Sequence, residues 1–204
     1  MTGTPPSLVL ASGSATRRAM LEAAGLEFAV RAADLDEAAI RDRMLAVDAA
    51  VSHESIAQTL AAEKAKAVSE SVSGALVIGA DQVLSFERRL FDKPASVAEA
   101  RAHLLALRAK THALHAAVAL ARDGALLWQE TATARLTLRT FSEAALDAYL
   151  ARAGDAVTTS VGAYQIEGPA IQLFEAIDGD HWTILGMPLL PLLAELRRRE
   201  VLVA

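Results

Sequence analysis

The stretch Leu8-Val-Leu-Ala-Ser-Gly-Ser-Ala-Thr-Arg-Arg18 commits the start of this chain to one local shape. An apolar run reads as a buried strand, breaks into small hydroxyl residues around Gly13, and delivers two arginines at the opening of a helix. Ser14 or Thr16 can cap that helix, Met20, Leu21 and Ala24 give it an apolar side, and Gly25 stands where a left-handed terminating residue is wanted. The same segment outlines an anion site, because the first backbone N–H groups of a helix lack partners and carry partial positive charge. Arg17 and Arg18 oppose the helix dipole there, which makes local sense chiefly with an anion between them; the plainer alternative is two solvated arginines.

The 204 residues are 53% hydrophobic but only 4% aromatic, enough for one well-packed, alanine-rich core, so a single domain over 1–204 is expected. A net charge of -5 argues against a protein that coats nucleic acid. The absence of cysteine excludes disulfides, thiolate zinc sites and a cysteine nucleophile. The opening Met-Thr-Gly-Thr-Pro-Pro lacks the basic stretch of a signal peptide, and no run of about 18 apolar residues offers a membrane span. A cytoplasmic protein with no membrane partner is the expectation.

Further along, 28–32 reads as a second strand leading into the acidic Asp34-Leu-Asp-Glu37, and about 52–71 as a helix. Lys64 falls inside that helix's apolar stripe, between Leu60 and Val68, so it either snorkels to solvent or has an anionic partner. Ala75-Leu-Val-Ile-Gly79 is the strongest strand; it ends at Ala80-Asp81-Gln82 and resumes over 83–86. Ser96 and Glu99 form a capping box for a helix with Ala100, Leu104 and Leu107 on one side. Strands at 113–122 and 125–138 flank Asp123-Gly124 as a hairpin, and Ser142 caps a helix to about Ala153. Strands near 163–166, 172–177 and 182–185 precede a final helix ending in Arg197-Arg198-Arg199, whose charges suit a helix C-terminus. Hairpins mixed with helices favour an α/β or α+β domain with a mixed sheet.

An arginine pair at a helix start, an inward lysine, a strand-end aspartate beside Gly79, and Lys93-Pro94 after a turn are together the parts of a site for a metal-bound polyphosphate. Gly-x-x-x-x-Gly-Lys-Ser/Thr and a strand-linked Gly-x-Gly-x-x-Gly are both missing, and Asp81-Gln82-Val83 lacks the second aspartate of an Asp-x-Asp phosphatase. The chain instead resembles the Maf family of nucleoside triphosphate pyrophosphatases. The matching stretches are Leu10-Ala-Ser-Gly-Ser with Arg17-Arg18, Asp36-Glu37, Glu63-Lys64-Ala65, Val77-Ile-Gly-Ala-Asp81, Lys93-Pro94, Gly162-Ala-Tyr-Gln-Ile-Glu-Gly168, Asp178-Gly-Asp and Gly186-Met-Pro188.

The resemblance implies an elongated mixed α/β fold, its sheet flanked by helices, with a deep cleft between two lobes. It implies hydrolysis of a nucleoside triphosphate to the monophosphate and pyrophosphate with a divalent cation, Mg2+ or Mn2+, and a homodimer. Asp81 matches the family's catalytic aspartate, as general base or metal ligand. Ser12, Arg17, Arg18, Lys64 and Lys93 match its phosphate-handling residues, and Glu37 an acidic residue that helps hold metal or water. Cations and a metal would offset the charge growing on the departing pyrophosphate. Thr16, Gln82 and Glu167 stand where family branches differ. Gln82 and Glu167 resemble the branch acting on 7-methyl-GTP, and a carboxylate can accept from both N1 and N2 of a guanine edge. Thr16, Ala15 and Ser160 depart from the patterns of the family. The alternatives are a dTTP/UTP pyrophosphatase of the same family, a phosphatase releasing orthophosphate, and a non-hydrolytic nucleotide-binding regulator of cell division. His53, His103, His112, His115 and His181 have no ligand-like spacing and are expected to be structural or superficial.

Overall fold

The computed structural model describes residues 7–203; the opening hexapeptide read above against a signal peptide lies outside them. In chain order the elements are β1 (Leu8–Leu10), α1 (Ala15–Ala23), β2 (Ala29–Val30), α2 (Glu37–Val47), α3 (His53–Ser69), β3 (Leu76–Phe86), β4 (Arg89–Phe91), α4 (Val97–Leu107), β5 (Thr111–Arg122), β6 (Ala125–Leu138), α5 (Glu143–Ala153), β7 (Phe174–Asp178), α6 (His181–Leu185) and α7 (Leu189–Arg198). Short 3-10 turns occupy Gly154–Thr158 and Pro169–Leu173. The strands form one seven-stranded sheet in the order β2-β1-β3-β5-β6-β7, with β4 also beside β3. β1 runs parallel to β2 and β3, whereas β4 is antiparallel to β3 and β7 to β6. The fold is therefore mixed α/β, with a mixed sheet flanked by helices, as the pattern of hairpins and helices led us to expect.

The chain gathers into two compact units, one of Met1–Gln82, Ala116–Ala132 and His181–Ala204, the other of Val83–His115 and Thr133–Asp180. In the first, Leu10 of β1, Leu21 of α1, Leu76 and Ile78 of β3, Leu120 of β5, and Leu192 and Leu196 of α7 form a fully buried core. Ser14 caps α1 by accepting from Arg17 N, and Gly25 after its end takes the left-handed φ of 76°. The Asp123-Gly124 hairpin is present, both residues at positive φ as a tight turn of that kind requires. The terminal arginines do more than suit a dipole: Arg198 and Arg199 both bond the buried Glu195, and Arg199 also reaches Leu127 O of β6.

In the second unit, Ser96 caps α4 by accepting from Glu99 N, while Glu99 Oε2 accepts from Ala95 N. α4 packs against α5 and the turn at Gly154–Thr158, and Arg101 of α4 bridges Glu143 and Asp147 of α5.

Several sequence expectations give way. β3 is unbroken through Ala80-Asp81-Gln82, so Asp81 lies inside a strand and not at its end. Residues 163–166 form no strand, because Ala163 turns into the left-handed region at φ 58° and interrupts any ladder. The segment 182–185 is helical, as part of α6: Gly186 N closes onto Trp182 O and Thr183 O. The expected strand at 172–177 begins only after the 3-10 turn, at Phe174, and the one at 28–32 shrinks to two exposed residues. α2 was not foreseen; Ile40 is its sole buried residue, so it carries no apolar stripe to read.

Candidate active site

The site begins with a missing side chain. A Cβ on Gly79 would fall 2.1 Å from Ala61 O and 2.6 Å from Ala65 N, so only glycine lets the backbone of α3 lie directly on β3. That approach brings Lys64 of α3 over Asp81, two residues beyond Gly79 and on the same side of the strand. Lys64 Nζ donates to Asp81 Oδ1 at 2.6 Å and stands 2.9 Å from Glu37 Oε1 at the start of α2. Lys64 and Asp81 are buried, while the Glu37 side chain is half exposed. Of the two readings of an inward lysine, the anionic partner holds, and it is double.

Two carboxylates about one ammonium leave this cluster with a net negative charge. Arg17 offsets it. Its guanidinium is buried, which lowers its pKa from the ordinary value, and the charges of Asp81 and Glu37 act in the opposite sense. An arginine stays protonated through such a shift. Arg17 Nε donates to Gly186 O at 2.9 Å, and Nη1 to Ala80 O at 2.9 Å and Ser12 Oγ at 3.2 Å. Three fixed acceptors thus lock the guanidinium beside the loop from β1 to α1. Ser12, itself buried, also accepts from Ser14 N, so its hydroxyl shapes the loop whose backbone N–H groups open α1.

The arginine pair divides. Successive helix residues point about 100° apart, and Arg18 turns outward, exposed and paired with Glu22 at 2.7 Å. Thr16 is half-buried in the first turn of α1. Gln82 donates from Nε2 to Thr183 O at 2.9 Å and Ile184 O at 3.1 Å, so both its amide hydrogens hold the end of α6 and only Oε1 remains to meet another group. Gly186, at φ 111°, packs against both Arg17 and Gln82. The bracing by Gly186 and the α6 carbonyls was missed from sequence; its one signal was a glycine directly before Met-Pro, a helix-ending pattern.

The first unit thus brings together Ser12, Arg17, Glu37, Lys64, Asp81 and Gln82, with Thr16 on the same helix as Arg17 and Arg18 facing away. Lys93 and Glu167 belong to the second unit. Lys93 follows β4, is exposed, and has no hydrogen bond or ion pair among the described residues. Glu167 is exposed in a turn closed by Gly168 N on Gln165 O. Among the described residues no helix is long and apolar enough to cross a membrane.

The chain that carries this set is similar to known proteins over nearly its whole length. The chain is 53% identical over 195 residues to a nucleoside triphosphate pyrophosphatase of Bradyrhizobium diazoefficiens, covering 96% of this chain and 95% of that one. It is 49% identical over 193 residues to a 7-methyl-GTP pyrophosphatase of Brucella abortus, covering 95% and 96%. A nucleoside triphosphate pyrophosphatase of Paramagnetospirillum magneticum is 52% identical over 195 residues, covering 96% of this chain and all of that one. With the model of the Maf-like proteins also matching residues 7–199, the chain belongs to the Maf family.

Proposed function

We propose that the protein hydrolyses nucleoside triphosphates to the nucleoside monophosphate and pyrophosphate, acting by preference on 7-methyl-GTP. The observation that carries this reading is the buried Asp81 carboxylate, tied to Lys64 through Oδ1, with a fixed arginine and a helix N-terminus in the same unit. Relatives that bear the names nucleoside triphosphate pyrophosphatase and 7-methyl-GTP pyrophosphatase at about half identity support it.

In this mechanism the triphosphate lies against the N–H groups that open α1 and the Arg17 guanidinium. Water adds to the α-phosphorus, the bond to the bridging oxygen of the β-phosphate breaks, and pyrophosphate leaves. Asp81 takes the proton of the attacking water on Oδ2, while Lys64 holds Oδ1 and so fixes the direction of the carboxylate. Mg2+ is commonly held by one or two carboxylates completed by substrate phosphates, and the half-exposed Glu37 fits that pattern as the donor while Asp81 serves as the base. A divalent cation there would acidify the attacking water and neutralise charge on the departing phosphates.

Glu167 supplies the acceptor edge for the N1 and N2 donors of guanine, and Gln82, left with Oε1, can only accept. Measuring pyrophosphate and orthophosphate release from 7-methyl-GTP, GTP, dTTP and UTP tests the proposal. Pyrophosphate should appear with added Mg2+ or Mn2+, fastest from 7-methyl-GTP, and Glu167→Gln should narrow the preference. Orthophosphate as the product, or no release from any nucleotide, overturns the reaction; a preference for dTTP or UTP overturns the choice of base.

A further inference from the structure

His112, at the start of β5, is buried, and so is Tyr164 of the Gly162-to-Gly168 segment. His112 Nε2 and the Tyr164 hydroxyl are 2.6 Å apart, and no other described partner reaches the His112 ring nitrogens; Nδ1 is buried with none. The pair is chemically expensive. Two phenylalanines would fill much the same space without desolvating a polar group, since replacing both partners of a buried hydrogen bond by apolar groups can be nearly neutral. A hydrogen bond between rings adds direction, which packing alone does not.

That direction is passed to a loop. Tyr164 packs edge-on against Phe174 at 4.9 Å, and a Cβ on Gly162 would strike its ring. Ser160 Oγ donates to Tyr164 O, Tyr149 Oη donates to Ala163 O, and Ala163 is held in the left-handed region. Rotation of the Tyr164 ring would therefore disturb the backbone on both sides of it. Gln165 and Glu167 stand on the outer side of the same short segment, exposed. His112 is the tie that links this loop to a strand of the sheet, all within the second unit.

We propose that His112 is a positioning residue for nucleobase selection, fixing through Tyr164 the loop from which Glu167 meets the base. The inference rests on the role of Glu167 given above. It is tested by kcat and KM for pyrophosphate release from 7-methyl-GTP, GTP, dTTP and UTP, with wild type, the double variant His112→Phe/Tyr164→Phe, and His112→Gln, whose amide reaches about as far as Nε2. The double variant should melt as wild type does and keep kcat within about twofold, while losing about tenfold of its base preference through KM. His112→Gln should retain most of the preference. A folded double variant with unchanged preference overturns the proposal, as does an equal fall in kcat for every nucleotide. Should the double variant not fold, Tyr164→Phe with hydrogen exchange over 160–168 decides: faster exchange together with weaker preference supports the proposal, and either one unchanged overturns it. An unaltered preference in Glu167→Gln removes the role of Glu167 and the inference with it, which separates that failure from a failure at His112.

Discussion

At the scale of single residues, the chemistry concentrates on one buried ion pair. Removing one member of such a pair leaves the other charge unpartnered in a poorly hydrated place, at a cost of about 3–5 kcal/mol. Lys64→Met should therefore lower unfolding free energy by about that much in chemical denaturation, whereas Lys64→Met/Asp81→Asn should recover a large part of it. Activity will not follow stability: Asp81→Asn should stay folded and bind nucleotide, yet lose about 10²–10⁴-fold of kcat, the usual share of a general base. Retained turnover in Asp81→Asn would place the proton acceptor elsewhere. Arg17 and Arg18 offer a matched contrast, since Arg17 has three fixed acceptors and Arg18 only an exposed glutamate one turn away. Arg17→Ala should raise KM for the nucleotide much more than Arg18→Ala does. Equal effects would return the pair to the symmetrical role that adjacency in sequence suggested.

Among the elements, α3 and β3 decide whether the site exists. Gly79→Ala places a methyl group against the backbone of α3, which cannot rotate aside as a side chain could. The expected outcome is a loss of stability of about 1–3 kcal/mol or more, read by denaturation, together with a fall in pyrophosphate release as Lys64 moves off Asp81. A stable, fully active variant would contradict the packing described. Much of this geometry was legible in the sequence. Gly79 announced a close approach, Ser14 and Gly25 bounded α1, Ser96 with Glu99 bounded α4, and the period of Leu60, Lys64 and Val68 turned the lysine inward. What escaped was decided by contacts distant in sequence. Asp81 looked like a strand end because a carboxylate is poorly suited to a buried strand, and Lys64, with Arg17 nearby, makes it tolerable there. Trp182-Thr-Ile-Leu185 has the composition of a strand, but Gln82, a hundred residues earlier, holds the carbonyls of a helix turn. Which way Arg18 turns was not legible either, because spacing alone does not say which of two neighbours faces inward.

For the whole molecule, pH acts in part through His112. Burial holds His112 at about 4, below the ordinary 6.5, so between those values the unfolded chain binds a proton that the folded chain refuses. Its contribution is complete above pH 6.5 and drains away as pH falls towards 4, by about 3 kcal/mol in all. Urea melts at successive pH values should show that decline, and His112→Phe/Tyr164→Phe should flatten it; an identical decline in the variant would assign it to other groups. The anchoring of Arg17 bears on how the protein is made. Its Nε bond is to Gly186, 169 residues later, and Gln82 waits on the same stretch for its own acceptors. A ribosome-bound chain that ends before Thr183 leaves Arg17 with two of its three acceptors and Gln82 with neither of its own. Full competence is therefore expected late in synthesis, and chains truncated before Thr183 should release pyrophosphate more slowly than the full chain.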